Sequence, residues 1–502
     1  MKKAYVLLRN ITSNFTAQFL LLVISFFTTP YIFHKFGAVQ YAILVILNTI
    51  IGYFSVFDFG LSSALIKYLA QFKAANKKLG SLLGTAFFIY FFLTILSGGV
   101  IFITSRFFIE KVFQIPLSLT DTALLALKLT ALNFIFSSLG NFFSLIPQSL
   151  QRFEIYNLKN ILLGIIIPLG TIILLIFNQG LISIVCLCLI VNALIAIIFY
   201  FLFRKLLPVD AFNFTFSIAM AKKLLMFGWF KFISNITSRI VFQLNNFLIA
   251  VFMPINLVSF YSIPASLTQK AIDLLPNLTL PIFPLTSELS ALASKEKLVR
   301  LYQHSIKSAN LLMMPLFLFL FFFSQPFLAV WIDQQFSQQT YLILKILSLA
   351  YLINSFSAIP AVIAEGLGKP KIPAFFSTIS AFLYLSLALL FIPKWHIFGA
   401  AISILINAVL VVPIFVYVVS FRLLPLKPLS FFFNLYFKPF ILSLVSILPF
   451  LLLSSFIISF WQFGFIFIIY LIFYFILCFI FKIIDKTELQ ILKNFINFSS
   501  AT

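Results

Sequence analysis

Residues 160–205 read NILLGIIIPLGTIILLIFNQGLISIVCLCLIVNALIAIIFYFLFRK. Two apolar runs, 160–177 and 182–203, are parted only by Asn178, Gln179 and Gly180 and are followed by Arg204 and Lys205. Each run is close to the ~20 residues a helix needs to cross ~30 Å of hydrocarbon. Lipid offers nothing to an unpaired backbone group, so a spanning segment must be a helix or part of a closed barrel. Continuous runs of this length, without polar alternation, are helical. The stretch is a transmembrane helical hairpin, and it sets the fold class as all-α and polytopic.

The pattern recurs along the chain. Apolar runs broken by charge or turn residues give fourteen expected spans: 11–33, 41–58, 82–104, 122–147, 160–177, 182–203, 224–251, 259–285, 309–332, 341–363, 375–393, 399–421, 440–458 and 465–481. Spans thirteen and fourteen form a second tight hairpin around Trp461–Gly464. With 62% hydrophobic and 9% charged residues, the chain has too little charge to cover a soluble surface of this size. Lys2, Lys3 and Arg9 precede the run Ile11–Phe33, which is too long for the apolar core of a signal peptide.

Orientation follows from the cations. With the N-terminus inside, 25 of the 34 Lys and Arg fall in cytoplasmic segments and four (Lys35, Arg106, Lys111 and Lys394) outside. That asymmetry places both termini in the cytoplasm. It also accounts for the formal net charge of +22 as loops held against an anionic leaflet, so nucleic acid is not an expected partner. The longest external loop, 105–121, is too short to form a catalytic domain.

The first and seventh spans share a signature. Ser13-Asn14-Phe15-Thr16 reappears as Ser234-Asn235-Ile236-Thr237, an offset of about 220 residues, with Tyr41 and Tyr261 following at similar spacing. A weaker echo relates the loop 148–154 to Glu365–Pro370. Six spans return the chain to the same membrane face. The expected organisation is therefore two six-helix pseudo-symmetric lobes, 1–220 and 221–438, followed by two further helices and a tail in 439–502. Lobes so related place a ligand site between them and work by rocking.

Polar residues inside spans mark that site. In span seven, Lys231, Asn235, Arg239 and Gln243 recur every four residues, with Asn246 three further on, so they share one helix face. Asn10, Asn14 and Gln18 make an uncharged counterpart in span one. A cation at mid-span costs ~2.5–3.5 kcal/mol on insertion scales, so it faces a bundle interior or a watery cavity. Lys231 has a second reading, snorkelling from near the cytoplasmic end, and the Asn and Gln side chains have one as interhelical glue. Lys270 and Asp273, three apart in span eight, are expected to neutralise one another. Asp58 closes span two, with Gly60 as a helix stop, and Lys67 follows. Gly80 and Gly84 open span three as a packing face. Cations exceed acids inside the spans, which favours an anionic ligand.

No nucleotide-binding loop and no nucleophile–base spacing occurs in the sequence. Cys186, Cys188 and Cys478, and His34, His304 and His396, have no metal-ligand spacing. No enzymatic activity, metal or cofactor is expected.

The motifs Ser13-Asn14, Pro30, Phe36-Gly37, Tyr41-Ala42, Asp58-Phe59-Gly60-Leu61 and Lys67-Tyr68-Leu69-Ala70 resemble those of bacterial oligosaccharide-lipid flippases. These are the O-antigen, or Wzx-type, translocases of polysaccharide export. They belong to the multidrug/oligosaccharidyl-lipid/polysaccharide exporter superfamily, which also holds the multidrug and toxin extrusion transporters. The loops Gln151-Arg152-Phe153 and Gly366–Lys369 are similar too. Phe36 stands where the family tends to have Leu, Ala42 for Gly and Lys67 for Arg. The resemblance implies a flippase of the bacterial inner membrane carrying a polyprenyl-diphosphate-linked oligosaccharide for O-antigen or capsule synthesis. Membrane lipids and a polysaccharide polymerase would be its partners, and coupling to proton or sodium flow is left open. Arg239 with Lys231 would hold the diphosphate, and Asn14, Gln18, Asn235 and Gln243 its oxygens or the sugar hydroxyls. Asp58, Lys67, Lys270 and Asp273 remain as gating or structural residues. A drug antiporter of the same superfamily is the alternative; it would want cavity carboxylates for organic cations.

Overall fold

The computed structural model describes residues 2–483, except 75–78, 114, 151, 208–214, 280–281, 293–294, 425, 427 and 454–458. The side chains of residues 2–21 also lie outside the described set, as do those of some later helical residues. What is described is helical throughout. Contacts divide the chain into two compact units: residues 1–263 with 377–403, and residues 264–376 with 404–502.

The first unit opens with α1, Lys2–Phe54, which bends at Gly37 (φ 68°, ψ 174°). At ~1.5 Å per residue, 53 residues would reach ~80 Å, well beyond one bilayer crossing. The bend falls between the first two expected spans, where glycine adopts a left-handed φ without steric cost. A 3-10 turn, Ser55–Asp58, leads through Phe59 (φ 49°) and Gly60 (φ 70°) into α2, Leu61–Ala74. The expected helix stop at Gly60 is thus a one-step break, and most of the expected loop behind it is helix.

Four helices complete the bundle: α3 (Gly80–Phe107), α4 (Thr120–Ser149), α5 (Phe153–Ile176) and α6 (Leu181–Leu206). The hairpin read from 160–205 is present, with Asn178 in left-handed conformation at its turn (φ 53°). α4 packs along α6, where Gly140 lets the backbones approach and Asn192 Nδ2 donates to Asn133 Oδ1 at 2.9 Å. The apolar core of this bundle centres on Leu65, Leu82, Phe142, Ile146 and Phe199. α7, Ile218–Phe252, then lies against α1, α2 and α3. The following α8, Asn256–Ile272, contains Pro264, the first residue of the second unit.

The second unit is organised on α11, Lys295–Phe322. Before it come two short helices, α9 (Leu275–Thr279) and α10 (Ile282–Ala291). After it come α12 (Ser324–Trp331), α13 (Gln334–Ser355) and α14 (Ala358–Gly366). Expected spans eight to ten are therefore each broken or displaced: residues 273–281 carry Asp273 and Pro276, and α11 starts well before its apolar part. α15, Lys371–Tyr417, belongs to both units, its residues 377–403 to the first, and bends at His396 (φ 54°, ψ −137°), between expected spans eleven and twelve. Past the short α16 (Pro428–Phe432) lie α17 (Lys438–Leu451) and α18 (Phe460–Ile480). The Tyr470 hydroxyl on α18 lies 3.1 Å from the Ser443 hydroxyl and donates to the Pro315 carbonyl at 3.2 Å, and its ring stacks on Phe319. Those contacts fasten the C-terminal pair to α11.

Ten stretches among the described residues are long and apolar enough to cross a membrane, against fourteen expected. Two of the ten, Leu22–Asp58 and Lys371–Leu423, contain the bends at Gly37 and His396. α7 is not among the ten.

Candidate functional site

α7 starts on a built cap. The Ser217 hydroxyl accepts from Met220 N, while Ser217 N donates to Thr85 Oγ1 at 2.9 Å, tying the helix start to α3. About three turns later Gly228 meets Gly60. A Cβ on Gly60 would overlap the Gly228 carbonyl, and one on Gly228 would overlap the Phe59 carbonyl. Phe232, one turn on, stacks on Phe59 with ring centroids 4.6 Å apart. The left-handed turn at 59–60 is thus clamped to α7.

That turn presents Asp58. Its carboxylate accepts from Gly60 N (2.8 Å) and from the Ser62 hydroxyl (2.6 Å). Arg239, about 16 Å further along α7 from Gly228 at ~1.5 Å per residue, is half-buried. It lies within electrostatic range of Asp58 and Tyr53. The Tyr53 hydroxyl is enclosed and has no hydrogen-bond partner among the described residues, as is Asn246 Oδ1 on the α7 stripe. Of the stripe and its counterpart, the side chains of Lys231, Asn235, Gln243, Asn14 and Gln18 lie outside the described residues.

Two cavities adjoin this region within the first unit. One, of about 260 Å³, is apolar and runs between Tyr53, Ile101, Leu127 and Phe247. The other, of about 300 Å³, is polar: Asp58, Ser62, Thr94, Ser138, Asn141 and Lys159 are among its walls. Lys159 was counted above as a loop charge, yet it is only 5% exposed. Its ammonium donates to Asn141 Oδ1 and, at 3.2 Å, to the Ser144 hydroxyl. Neither Lys159, Tyr53 nor Tyr90 was singled out from sequence. A lysine six residues into a helix, after an Arg-Phe-Glu turn, reads as cytoplasmic anchoring until its packing is known.

The remaining candidates lie elsewhere. Lys67 is exposed, with its ammonium 3.9 Å from the Phe227 ring centroid, and Lys223 caps Tyr68 at 4.7 Å. Lys270 is within electrostatic range of Asp273, but the direct partner of Asp273 is Gln269, whose amide donates at 2.8 Å. Gln269 in turn accepts from the Tyr351 hydroxyl at 3.1 Å. This chain belongs to the second unit.

The fold is shared with known membrane transporters. An inward-facing multidrug resistance MATE transporter of the MOP superfamily matches at TM-score 0.69 and 15% identity, over 81% of this chain and 94% of the other. The lipid II flippase MurJ, inward closed, matches at TM-score 0.69 and 17% identity, over 91% and 97%. The likeness to these two proteins is one of fold. The chain belongs to the polysaccharide biosynthesis protein family, which it matches over residues 34–341. A Shigella flexneri protein named "Putative O-antigen transporter" is 23% identical over 74% of this chain and 88% of its own length. The Bacillus subtilis membrane protein EpsK is 23% identical over 81% and 82%. The protein is thus a multi-pass membrane protein of the polysaccharide biosynthesis family, with bacterial homologues.

Proposed function

We propose that the protein flips polyprenyl-diphosphate-linked oligosaccharide repeat units from the cytoplasmic to the outer leaflet of the inner membrane, by alternating access, for O-antigen or capsule synthesis. The observation that carries this reading is Arg239, a half-buried guanidinium in a membrane helix, within electrostatic range of Tyr53 and Asp58. A guanidinium fork matches diphosphate oxygens and holds them by charge-assisted hydrogen bonds. The O-antigen transporter and lipid II flippase among the similar proteins are consistent with a lipid-linked glycan.

The reading takes fourteen passes. Splitting α1 at Gly37 and α15 at His396, adding α7, and treating α8–α10 as one interrupted crossing supports that count beside the ten apolar stretches. The two lobes are 1–220 and 221–438, with 439–502 appended. The clamp between Gly60 and Gly228 then joins one lobe to the other near the cytoplasmic face, and the cycle opens it. The membrane potential assists: inside-negative voltage favours outward movement of the diphosphate by ~2.3 kcal/mol per charge per 100 mV.

The test is Arg239→Ala in cells lacking their own flippase, with surface glycan and protein level both measured. Export is expected to fall at unchanged protein level; full export removes Arg239 from the mechanism. The contrasting antiporter reading predicts instead that organic-cation efflux occurs and depends on Asp273.

A further inference from the structure

The polar cavity of the first unit shares Asp58 with the surroundings of Arg239, but Arg239 is not among its lining residues. Its charges are one carboxylate and one ammonium. The Asp58 carboxylate accepts from Gly60 N and from Ser62, and its two oxygens offer about four acceptor sites in all. Lys159 gives two of its three N–H groups to Asn141 and Ser144. No ion pair joins Asp58 to Lys159 among the described residues, although both line the cavity. A bare cation placed there meets Lys159, and a bare anion meets Asp58, in surroundings that screen charge poorly. The balance selects a ligand without net charge.

The rest of the lining says which kind. Hydroxyls from Ser63, Thr94, Ser97 and Ser138 donate and accept alike, and suit a ligand whose own groups do both. The rings of Phe54, Tyr90, Phe134 and Tyr156 supply apolar faces beside them. The volume, about 300 Å³, is at the low end of the ~300–1,000 Å³ typical of small-ligand sites. Tyr156 and Lys159 begin α5, directly after the 150–153 connection, which the cation count assigns to the cytoplasm. Glycans on lipid carriers are presented from that side.

We propose that this cavity binds one uncharged sugar ring, so that the first unit reads a residue of the glycan from the cytoplasmic side while Arg239 takes the diphosphate. The proposal rests on the flippase reading for its ligand's source, but the binding site is testable without transport.

Full-length protein in nanodiscs is titrated with glucose, galactose, N-acetylglucosamine and rhamnose. Glucuronate and glucosamine serve as charged counterparts, and sodium chloride and sodium phosphate as ionic ones. Thermal unfolding is followed by tryptophan fluorescence. At least one neutral sugar is expected to raise the midpoint, and Thr94→Val and Ser138→Ala are expected to abolish the shift at least tenfold in apparent affinity. If Thr94→Val fails to fold, Ser97→Ala carries the same comparison. Stabilisation by salt alone, stronger stabilisation by a charged sugar, no shift with any neutral sugar, or a shift that survives the substitutions overturns the proposal. Surface glycan measured in cells carrying Arg239→Ala separates the two ideas. Loss of export there, with no sugar binding, sinks the cavity and leaves the flippase reading standing; normal export sinks the flippase reading whatever the sugars do.

Discussion

Gly60 and Gly228 meet backbone to backbone, leaving no room for a β-carbon on either. Gly60 also sits at φ 70°, which costs an L-residue ~1–2 kcal/mol before any clash. Gly37 has a similar φ of 68° but faces open space. The three alanine variants should therefore differ: Gly37, at ψ 174°, sits in a region essentially reserved for glycine, so Gly37→Ala loses about 1–3 kcal/mol from backbone strain alone, while Gly60→Ala loses more because the overlap with Gly228 adds to its own penalty. Gly228→Ala pays through overlap alone. Thermal unfolding in nanodiscs orders them, and equal losses for Gly37→Ala and Gly60→Ala would show that the contact is slack.

Asp58 combines a structural and an electrostatic role that two substitutions separate. Asp58→Ala removes acceptors for Gly60 N and Ser62, bonds to a charged group worth ~1.5–3 kcal/mol each at most. A clear fall in stability is expected. Asp58→Asn keeps one acceptor and discards the charge within electrostatic range of Arg239. It should fold with a smaller loss, while export falls. Unfolding midpoints and surface glycan, measured on both variants, check the split.

Arg239→Lys keeps the cation and loses the planar fork. Export by this variant is expected to lie between wild type and Arg239→Ala, reduced on the order of tenfold, the equivalent of ~1.4 kcal/mol. Quantified glycan per cell, normalised to protein, gives the comparison. Wild-type export would mean that point charge is sufficient there.

Asn133 and Asn192 join α4 to α6 through one amide–carbonyl bond. In membrane bundles such bonds average ~0.6 kcal/mol, with ~1.7 as an upper value. A double-mutant cycle on Asn133→Ala and Asn192→Ala, read by unfolding midpoints, should return a coupling in that range.

The sequence made the helical membrane fold legible because lipid removes every alternative for a long apolar run. The hairpin around Asn178 appears where it was read; the C-terminal pair is present as α17 and α18, but Trp461–Gly464, read as its turn, is helical and opens α18, because the Ser459 cap starts that helix earlier. Bends at Gly37 and His396 also fall between expected spans, since no residue can be helical on both sides of a reversal. The misreadings have a common cause. Hydropathy reports what contacts lipid, so it ended span two correctly at Asp58 but read the stretch behind Gly60 as loop where α2 forms in a protein environment. The start of α11 was lost in the same way, because Lys295–Lys307 is polar yet helical. Of the site, Arg239 was legible from its cost in lipid and from its four-residue spacing. Lys159 was not: its value depends on Asn141 and Ser144, which a different helix brings to it.

The reversal at His396 leaves essentially no linker between the arms of α15, and Gly37 does the same for α1. On the proposed fourteen-pass reading each arm is its own crossing, and neither has slack to wait outside the bilayer while its twin is inserted. Each couple must be handed to the membrane jointly during biosynthesis, so a substitution that weakens the partition of one arm will be felt as mis-insertion of both. Pulse-labelled glycosylation reporters placed after each arm would register that shared fate.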